Sequence, residues 1–429
     1  MAGSRRGAVH QRQAWAAWLV GLCAALAAGP ATALEGTGSN GILLGENSRA
    51  HPYVYLDTHY VTNPGRLYGA AVANDVLTVA RLGVDGSLKH TAWDLNWILN
   101  GGYNKYWGLT VAGTRQLSAA TGSFHLDADI NKNGSLELKL SDDLQRTDDV
   151  ANQAFTRRLL HWTNTANGVA EWTPGGGALV VTLGYGFFYD TYDHEPTVNP
   201  FPRGALDNWR HLPRLRMAWK FLPKTALFIE GEGQLTYFKD VPYAGTAITN
   251  VNSRMVQATA GLLGNVTRKI TTQLKAGYGN TLLAEPGAHD KSTVVGLFEV
   301  AYAPTETSKL AAGFARSLQP TSMFRYFLTD RPYIKYEQQV ADHTQIAVSP
   351  EYNIMDFGLP VIAALQPAGT PNRRDKDFIL NVNLTQALSE WLTVSIIERL
   401  NYRVSNFVTS AGPAGYFFND VYLRIDVRY

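Results

Sequence analysis

Hydrophobic and polar residues alternate along many short stretches of the chain. In the last stretch, NDVYLRIDVRY, apolar and aromatic residues take every second position, at Val421, Leu423, Ile425, Val427 and Tyr429. Charged and polar residues fill the positions between them. A period of two places successive side chains on opposite faces of a β-strand, so the pattern predicts strands with one apolar and one polar face.

The same alternation recurs between turn residues along most of the chain. It predicts about 18 strands, with about 16 as the alternative, because the region 144–178 is hard to divide. The predicted segments are 53–60, 75–84, 88–100, 121–130, 135–144, 156–164, 177–190, 209–221, 225–238, 252–264, 269–282, 291–302, 308–318, 324–338, 343–353, 375–386, 391–406 and 418–429.

Short connections alternate with long ones between these segments. Tight turns are predicted at 84–87, 131–134, 222–225, 265–269, 303–308, 340–343 and 387–391, and long connections at 190–209, 240–250 and 358–375. A closed barrel turns apolar faces to lipid and polar faces to a water-filled lumen, and it leaves no open strand edge. The sequence therefore predicts an all-β fold, a transmembrane antiparallel up-and-down β-barrel with short periplasmic turns and longer extracellular loops.

In such a barrel the terminal strand closes the ring. We expect it to pair with the first strand, near HPYVYLDTHY at 51–60. Its alternating residues, ending in Tyr429, are typical of the signal that the barrel-assembly machinery recognises. The terminal aromatic ring is expected at the periplasmic interface, where amphipathic rings are favoured.

The first residues predict a secretory leader. Arg5, Arg6 and Arg12 precede a short apolar core and the small residues Ala31-Thr32-Ala33, so we expect a signal peptide over 1–33. A periplasmic lead segment over 34–50 and a barrel over 51–429 would follow, integral to the outer membrane. Cys23, the only cysteine, lies in the leader, so disulfides and thiol chemistry are not expected in the mature chain.

The remaining composition points away from enzymes and nucleic-acid partners. The formal net charge is only +2, and charged residues are 17% of the chain. The Gly-rich stretch at 175–177 lacks the Lys-Ser/Thr of a phosphate loop, and the ten His show no metal-ligand spacing. We therefore expect no enzyme activity, no metal and no cofactor.

Alternation also assigns charged residues to the lumen. The basic candidates are Arg214, Arg216, Lys220, Arg399, Arg403 and Arg424. The acidic candidates are Asp127, Asp129, Glu230, Glu232 and Asp426. Two interpretations stay open: opposite charges that pair across strands in a solvated wall, or a local anion site, strongest at Arg214, Arg216 and Lys220.

Three stretches resemble a known family. They are HPYVYLDTHYVTN with the following NDVLTVARLGVDGSLKHTAWDLNWILNGGYNKY, VAYAPTETSKLAAGFARS, and WLTVSIIERLNYRVSN before the terminal strand. They are similar to the β-barrel porin family of type 2, outer-membrane barrels often associated with exopolysaccharide export. The resemblance implies a pore, either a conduit for polysaccharide or a channel for small polar solutes.

The partners expected on this basis are outer-membrane lipid, the barrel-assembly machinery and components of a polysaccharide export system. A barrel that only anchors a surface receptor or adhesin is the alternative, and an outer-membrane enzyme ranks last.

Overall fold

The computed structural model describes residues 41–66, 74–110, 112–149, 158–175, 177–195, 201–243, 249–283, 290–322, 324–360, 371–409 and 412–429. The predicted leader 1–33 and residues 34–40 of the predicted lead segment lie outside these residues. Among the described residues, no helix combines the length and the hydropathy needed to cross a membrane.

Antiparallel strands form nearly the whole described chain. In chain order they are β1 Ile42–Gly45, β2 Ser48–Thr62, β3 Asn74–Lys89, β4 Trp93–Tyr106, β5 Ala119–Ile130, β6 Leu136–Thr147, β7 His161–Trp172, β8 Leu179–Tyr192, β9 Asn208–Leu222, β10 Thr225–Phe238, β11 Ser253–Asn265, β12 Ile270–Leu283, β13 Lys291–Tyr302, β14 Ser308–Gln319, β15 Phe327–Ala341, β16 Thr344–Phe357, β17 Arg374–Ser389, β18 Leu392–Ser405, β19 Val408–Thr409, β20 Gly412–Pro413 and β21 Tyr416–Arg428. A 3-10 helix, Ala112–Leu117, lies between β4 and β5.

Strands β2 to β18 and β21 form a closed barrel of 18 strands. Each strand pairs with the next along the chain, and β21 pairs with both β18 and β2. The closing seam runs from Tyr53 opposite Arg428 to Thr62 opposite Asn419. The prediction of an up-and-down barrel closed by the terminal strand is confirmed, and the alternative of about 16 strands is wrong.

Three short elements lie outside the ring. Strand β1 forms a small hairpin with the start of β2, with Ile42 opposite Ala50. The predicted barrel start at 51 is therefore a few residues late, since β2 begins at Ser48. Strands β19 and β20 form a two-residue ladder in the connection between β18 and β21.

The turn predicted at 84–87 is wrong. These residues lie inside β3, where Gly86 pairs with Trp97 of β4, and the turn falls at 90–92. A Cβ at Gly86 would lie 2.6 Å from an atom of the Trp97 ring. Gly86 therefore leaves space for an indole packed across the strand, and the Asp-Gly pair that is typical of a turn serves packing instead.

The strand predicted at 156–164 is also displaced. Strand β7 covers His161–Trp172, and its middle reads Asn164-Thr165-Ala166-Asn167-Gly168. Between the outward rings of Trp162 and Trp172 the outward residues are polar or small, so no apolar alternation marks the middle of the strand. Backbone pairing with β6 and β8 along the full length of β7 keeps this segment in a β-strand.

Candidate functional site

The two faces of the barrel wall differ in chemistry. On β9, Leu215, Met217 and Trp219 are exposed on the outward face, while Arg214 and Arg216 alternate with them on the inward face. The same parity holds on β21, where Val421, Leu423, Ile425 and Val427 are exposed and Asp420, Tyr422, Arg424 and Asp426 face inward. The lining of the lumen is therefore the charged face, and it is the candidate functional site.

A cluster of five charged residues lies on the inward faces of β9, β10 and β12. Glu230, with its side chain only 1% exposed, accepts hydrogen bonds from Arg214 Nε at 3.0 Å and Lys275 Nζ at 2.8 Å. Glu232 lies 3.4 Å from Arg214 Nε, and Arg216 lies 4.0 Å from Glu230. Three cations thus share two carboxylates, so ion pairing removes most but not all of the positive charge expected there.

Lys220 does not join this cluster. It lies two residues from the end of β9 and is exposed, with no carboxylate within ion-pair distance among the described residues. Arg216, by contrast, is part of the cluster, and its guanidinium carbon also lies 4.0 Å from the centroid of the Phe228 ring. The structure therefore brings Arg214, Arg216, Glu230 and Glu232 together and leaves Lys220 apart.

A second cluster lines the closing seam. Arg424 donates two hydrogen bonds to Asp57, at 2.8 and 2.7 Å. His59 bonds Asp420 at 2.8 Å through Nδ1, and its ring stacks on Tyr422 at 4.1 Å. The first and last strands are thus joined inside the barrel by side chains as well as by the backbone ladder.

Arginine and tyrosine side chains alternate around this seam across four strands. The guanidinium carbons of Arg81 and Arg424 lie 5.9 and 4.5 Å from the centroid of Tyr55. Those of Arg399 and Arg424 lie 5.4 and 5.8 Å from the centroid of Tyr422. Stacking on phenol rings fixes the planar guanidinium groups and leaves their N–H edges free for hydrogen bonds.

Of this row, Arg399 and Arg424 were among the lumen candidates expected from the sequence. Tyr55, His59 and Tyr422 share the parity of Asp57 and Arg424, so the alternation alone would have placed them inward. A candidate set restricted to Lys, Arg, Asp and Glu leaves out the aromatic rings that hold the charges in place.

Arg403 lies in a buried cluster near the outer end of the wall. Its Nη2 donates to Asp377 at 2.7 Å, and Asp375 lies 3.7 Å from its Nη1. Arg373, which precedes β17, bonds the same Asp375 at 2.6 Å. Its guanidinium packs against three phenylalanine rings, at 4.4 Å from the nearest centroid, Phe357.

The acidic candidates on β5 and β21 have different surroundings. Asp127 lies 2.7 Å from His125 Nε2, and Asp143 lies 3.3 Å from the other ring nitrogen. His125 Nε2 thus hydrogen-bonds Asp127, whereas its buried Nδ1 has no hydrogen-bond partner among the described residues. Asp129 and Asp426 have no cation within ion-pair distance among the described residues.

Connections at the outer end fold onto the inward face. Leu117, in the 3-10 helix, packs on a cluster of inward side chains that includes Val61, Leu77 and Tyr106. Asp75 accepts hydrogen bonds from the backbone N–H groups of Gly108 and Leu109, at 3.0 and 3.1 Å, and another from the Thr114 hydroxyl. The described part of the β4–β5 connection is therefore held inside the barrel mouth.

The β6–β7 connection carries a cluster of charged residues beside β4. Arg158 lies 3.3 Å from Asp148 and 3.4 Å from Asp149, whose side chain is 60% exposed. Although partial burial acts to raise the pKa of Asp149, Arg158, Arg399 and Arg66 hold this pKa below its ordinary value. Arg399 lies on β18 and Arg66 follows β2, so arginines from separate parts of the chain favour the charged form of Asp149.

In the part of the chain that the structure describes, no three His, Cys, Asp or Glu side chains converge as a metal site requires.

The expected assembly signal is exposed at all five of its residues, Val421, Leu423, Ile425, Val427 and Tyr429. The first four lie on the outward face of the closing strand, and Tyr429 follows the strand and donates its backbone N–H to Pro52.

The structure is similar to several solved structures. OpdO of Pseudomonas aeruginosa shares 11% identity over 89% of this chain and 97% of its own, with a TM-score of 0.46. OccK9 (OpdG) of the same organism shares 12% over 89% and 98%, with a TM-score of 0.48. OccAB3 of Acinetobacter baumannii shares 11% over 89% and 99%, with a TM-score of 0.45.

A search of curated proteins finds no match. The family model described as putative beta-barrel porin 2 matches residues 39–324, which is well over half of the chain. This match covers the first strands and the β9–β12 charge cluster, and it agrees with the resemblance carried by the sequence. The chain belongs to the putative beta-barrel porin 2 family.

Proposed function

We propose that the protein is a passive channel for small polar solutes in the outer membrane. The supporting observation is a closed barrel of 18 strands whose inward face is charged and largely ion-paired. Barrels of about 16 to 18 strands leave an aqueous channel. A balanced wall lets ions and polar solutes pass without trapping either sign of charge.

The location and partners proposed for the chain follow from the same surface. An exposed apolar outward face requires bilayer lipid around it. We propose that the leader 1–33 directs export, that the residues between it and β2, 34–47, are a lead segment in the periplasm, and that the assembly machinery recognises the terminal strand.

The connections at the outer end favour small solutes over a polysaccharide chain. Leu117 and its 3-10 helix pack on the β2–β4 wall, and Phe324 packs against Phe327 and Phe357 on the β15–β16 wall. Side chains from connections thus occupy the barrel mouth at two places. An export conduit for a polymer needs an open lumen, and an anchored receptor needs connections that project outward.

Conductance of the purified full chain in planar bilayers tests the channel. We expect ohmic single channels, and a larger unit conductance for Asp75→Ala, because this change removes the hydrogen bonds that hold Gly108, Leu109 and Thr114 inside the mouth. Asp142→Ala is the matched control, since Asp142 faces outward and bonds Asn164 at 2.9 Å. Absence of any conductance from folded protein would refute the channel and favour the receptor.

Ion selectivity tests whether the lining controls permeation. Arg399 bonds the Tyr422 hydroxyl at 3.1 Å and has no carboxylate within ion-pair distance among the described residues. Arg399→Glu should therefore shift the reversal potential towards cation selectivity without leaving a buried carboxylate unpaired, most clearly at low salt. Replacing Arg214 or Arg216 with Glu is a poorer test, because Glu230 and Glu232 would lose an ion-pair partner. An unchanged reversal potential in Arg399→Glu would show that ions do not pass this wall.

A further inference from the structure

A carboxylate lies on the outward face of the barrel, within the apolar belt. Glu398 is on β18, with Ile396 and Leu400 two residues away on the same face. Its cross-strand neighbours are Val382 on β17 and Val421 on β21. Apolar side chains therefore surround Glu398 along the strand and across it.

Glu398 is half-buried, and no hydrogen-bond or ion-pair partner for its carboxylate is present among the described residues. Hydrocarbon supplies no hydrogen bonds, so a lone carboxyl group in lipid is unfavourable, and ionisable side chains within a membrane usually have a partner. On the outward faces of β17, β18, β21 and β2, no Lys or Arg is level with Glu398; Lys376, for example, lies near the outer end of β17.

Asp142, another carboxylate on the outward face, shows the usual solution. It lies on β6 with Leu140 and Leu144 beside it on the same face. It accepts a hydrogen bond of 2.9 Å from Asn164 on the neighbouring strand. Asp142 is therefore satisfied within its own chain, whereas Glu398 is not.

Hydrogen-bond donors lie close to Glu398 on the same outward face. Tyr60 of β2 is 53% exposed, and it pairs with Val421, the residue that also pairs with Glu398. Thr58 of β2 is exposed one step lower. Asn419 lies one step higher on β21 and carries an amide N–H group on the same face. We call these four residues, Glu398, Tyr60, Thr58 and Asn419, the seam patch.

We propose that the seam patch is an interface with a second copy of this chain. The patch contains an acceptor carboxylate and three donor side chains but no cation, so it is complementary to itself. A two-fold axis near the seam places Glu398 of each copy against the hydroxyl and amide donors of the other, as an isologous interface requires. This inference is independent of the channel function, because it concerns the outward face.

Cysteine cross-linking in intact outer membranes tests the interface. The only native cysteine, Cys23, lies in the predicted leader, so Thr58→Cys introduces a single thiol within the patch. We expect oxidation to give a band of twice the chain mass. Leu183→Cys, exposed on the outward face of β8, is the control and should give no such band.

The carboxylate is then tested within the Thr58→Cys background. Glu398→Leu should reduce the cross-linked fraction at least tenfold, Glu398→Gln should retain most of it because an amide still accepts and donates, and Asp142→Leu should leave it unchanged. Heat-modifiable migration checks that each variant is a folded barrel. If Glu398→Leu does not fold, the Glu398→Gln variant and light scattering of the detergent-solubilised parent decide the question.

Three results would overturn the proposal. The first is a parent protein that is monomeric by both cross-linking and light scattering. The second is a cross-linked fraction that does not change in folded Glu398→Leu. The third is a cross-link from Thr58→Cys to a different protein, which would assign the patch to that partner instead.

Discussion

The depth of a residue in the apolar belt should decide the cost of placing arginine on the outward face of β9. Trp209 and Trp219 are ten residues apart on this strand. A strand rises by about 3.3 Å per residue, and at a tilt of about 40° each residue advances by about 2.5 Å along the membrane normal. The two rings are therefore about 25 Å apart in depth, which matches the height of the apolar band of such barrels.

Leu215 and Met217 lie at different depths between these rings. Leu215, which is 49% exposed, is four residues from Trp219 and close to the middle of the belt, whereas Met217, 41% exposed, is two residues from it. We expect Leu215→Arg to lower the free energy of unfolding by about 2–4 kcal/mol, and Met217→Arg by about 1 kcal/mol or less, because the cost falls towards the interface. Ala218→Arg faces the wet lumen and should cost less than Leu215→Arg.

Urea unfolding of protein folded into lipid vesicles, followed by tryptophan fluorescence, measures these differences. The slope of free energy against urea should be the same in all variants, so that shifts in midpoint report stability. Equal losses for Leu215→Arg and Met217→Arg would show that the depth assignment is wrong. A loss for Ala218→Arg as large as that for Leu215→Arg would show that the two faces of β9 are misassigned.

Three further predictions concern assembly, topology and the lumen. Tyr429→Ala should lower the yield of heat-modifiable barrel in the outer membrane, because it removes the aromatic end of the closing strand; an unchanged yield would contradict an assembly role. A cysteine at Glu195 should react with an impermeant thiol reagent in intact cells and one at Lys224 should not, and the opposite pattern would invert the topology. Glu230→Gln should lower the free energy of unfolding by about 3–5 kcal/mol, because three cations lose a buried carboxylate, whereas Lys220→Gln should change it by less than about 0.5 kcal/mol; equal urea midpoints for both would show that the cluster contributes nothing to stability.

The alternation of apolar and polar residues was sufficient to predict the barrel. A period of two determines which side chains share a face, and closure follows because lipid-exposed strands cannot leave an edge unpaired. Most strands are therefore near their predicted positions, including the seam between β2 and β21. The turn prediction at 84–87 was wrong because the Asp85-Gly86 pair, typical of a turn, lies inside β3. Gly86 is there because it makes room for the Trp97 ring.

The sequence by itself determined that the chain forms a β-barrel and that Arg214, Glu230 and Arg424 lie on its inward face. Only the tertiary structure decided which charges meet, because partners such as Asp57 and Arg424 are 367 residues apart and come together when the ring closes. The same holds for the connections, since the pattern of Gly108–Leu117 does not show whether it extends outward or packs on Val61 and Tyr106. Periodicity is a local property that sets the face of each side chain, whereas ion pairs and loop packing depend on distances that exist only in the closed barrel.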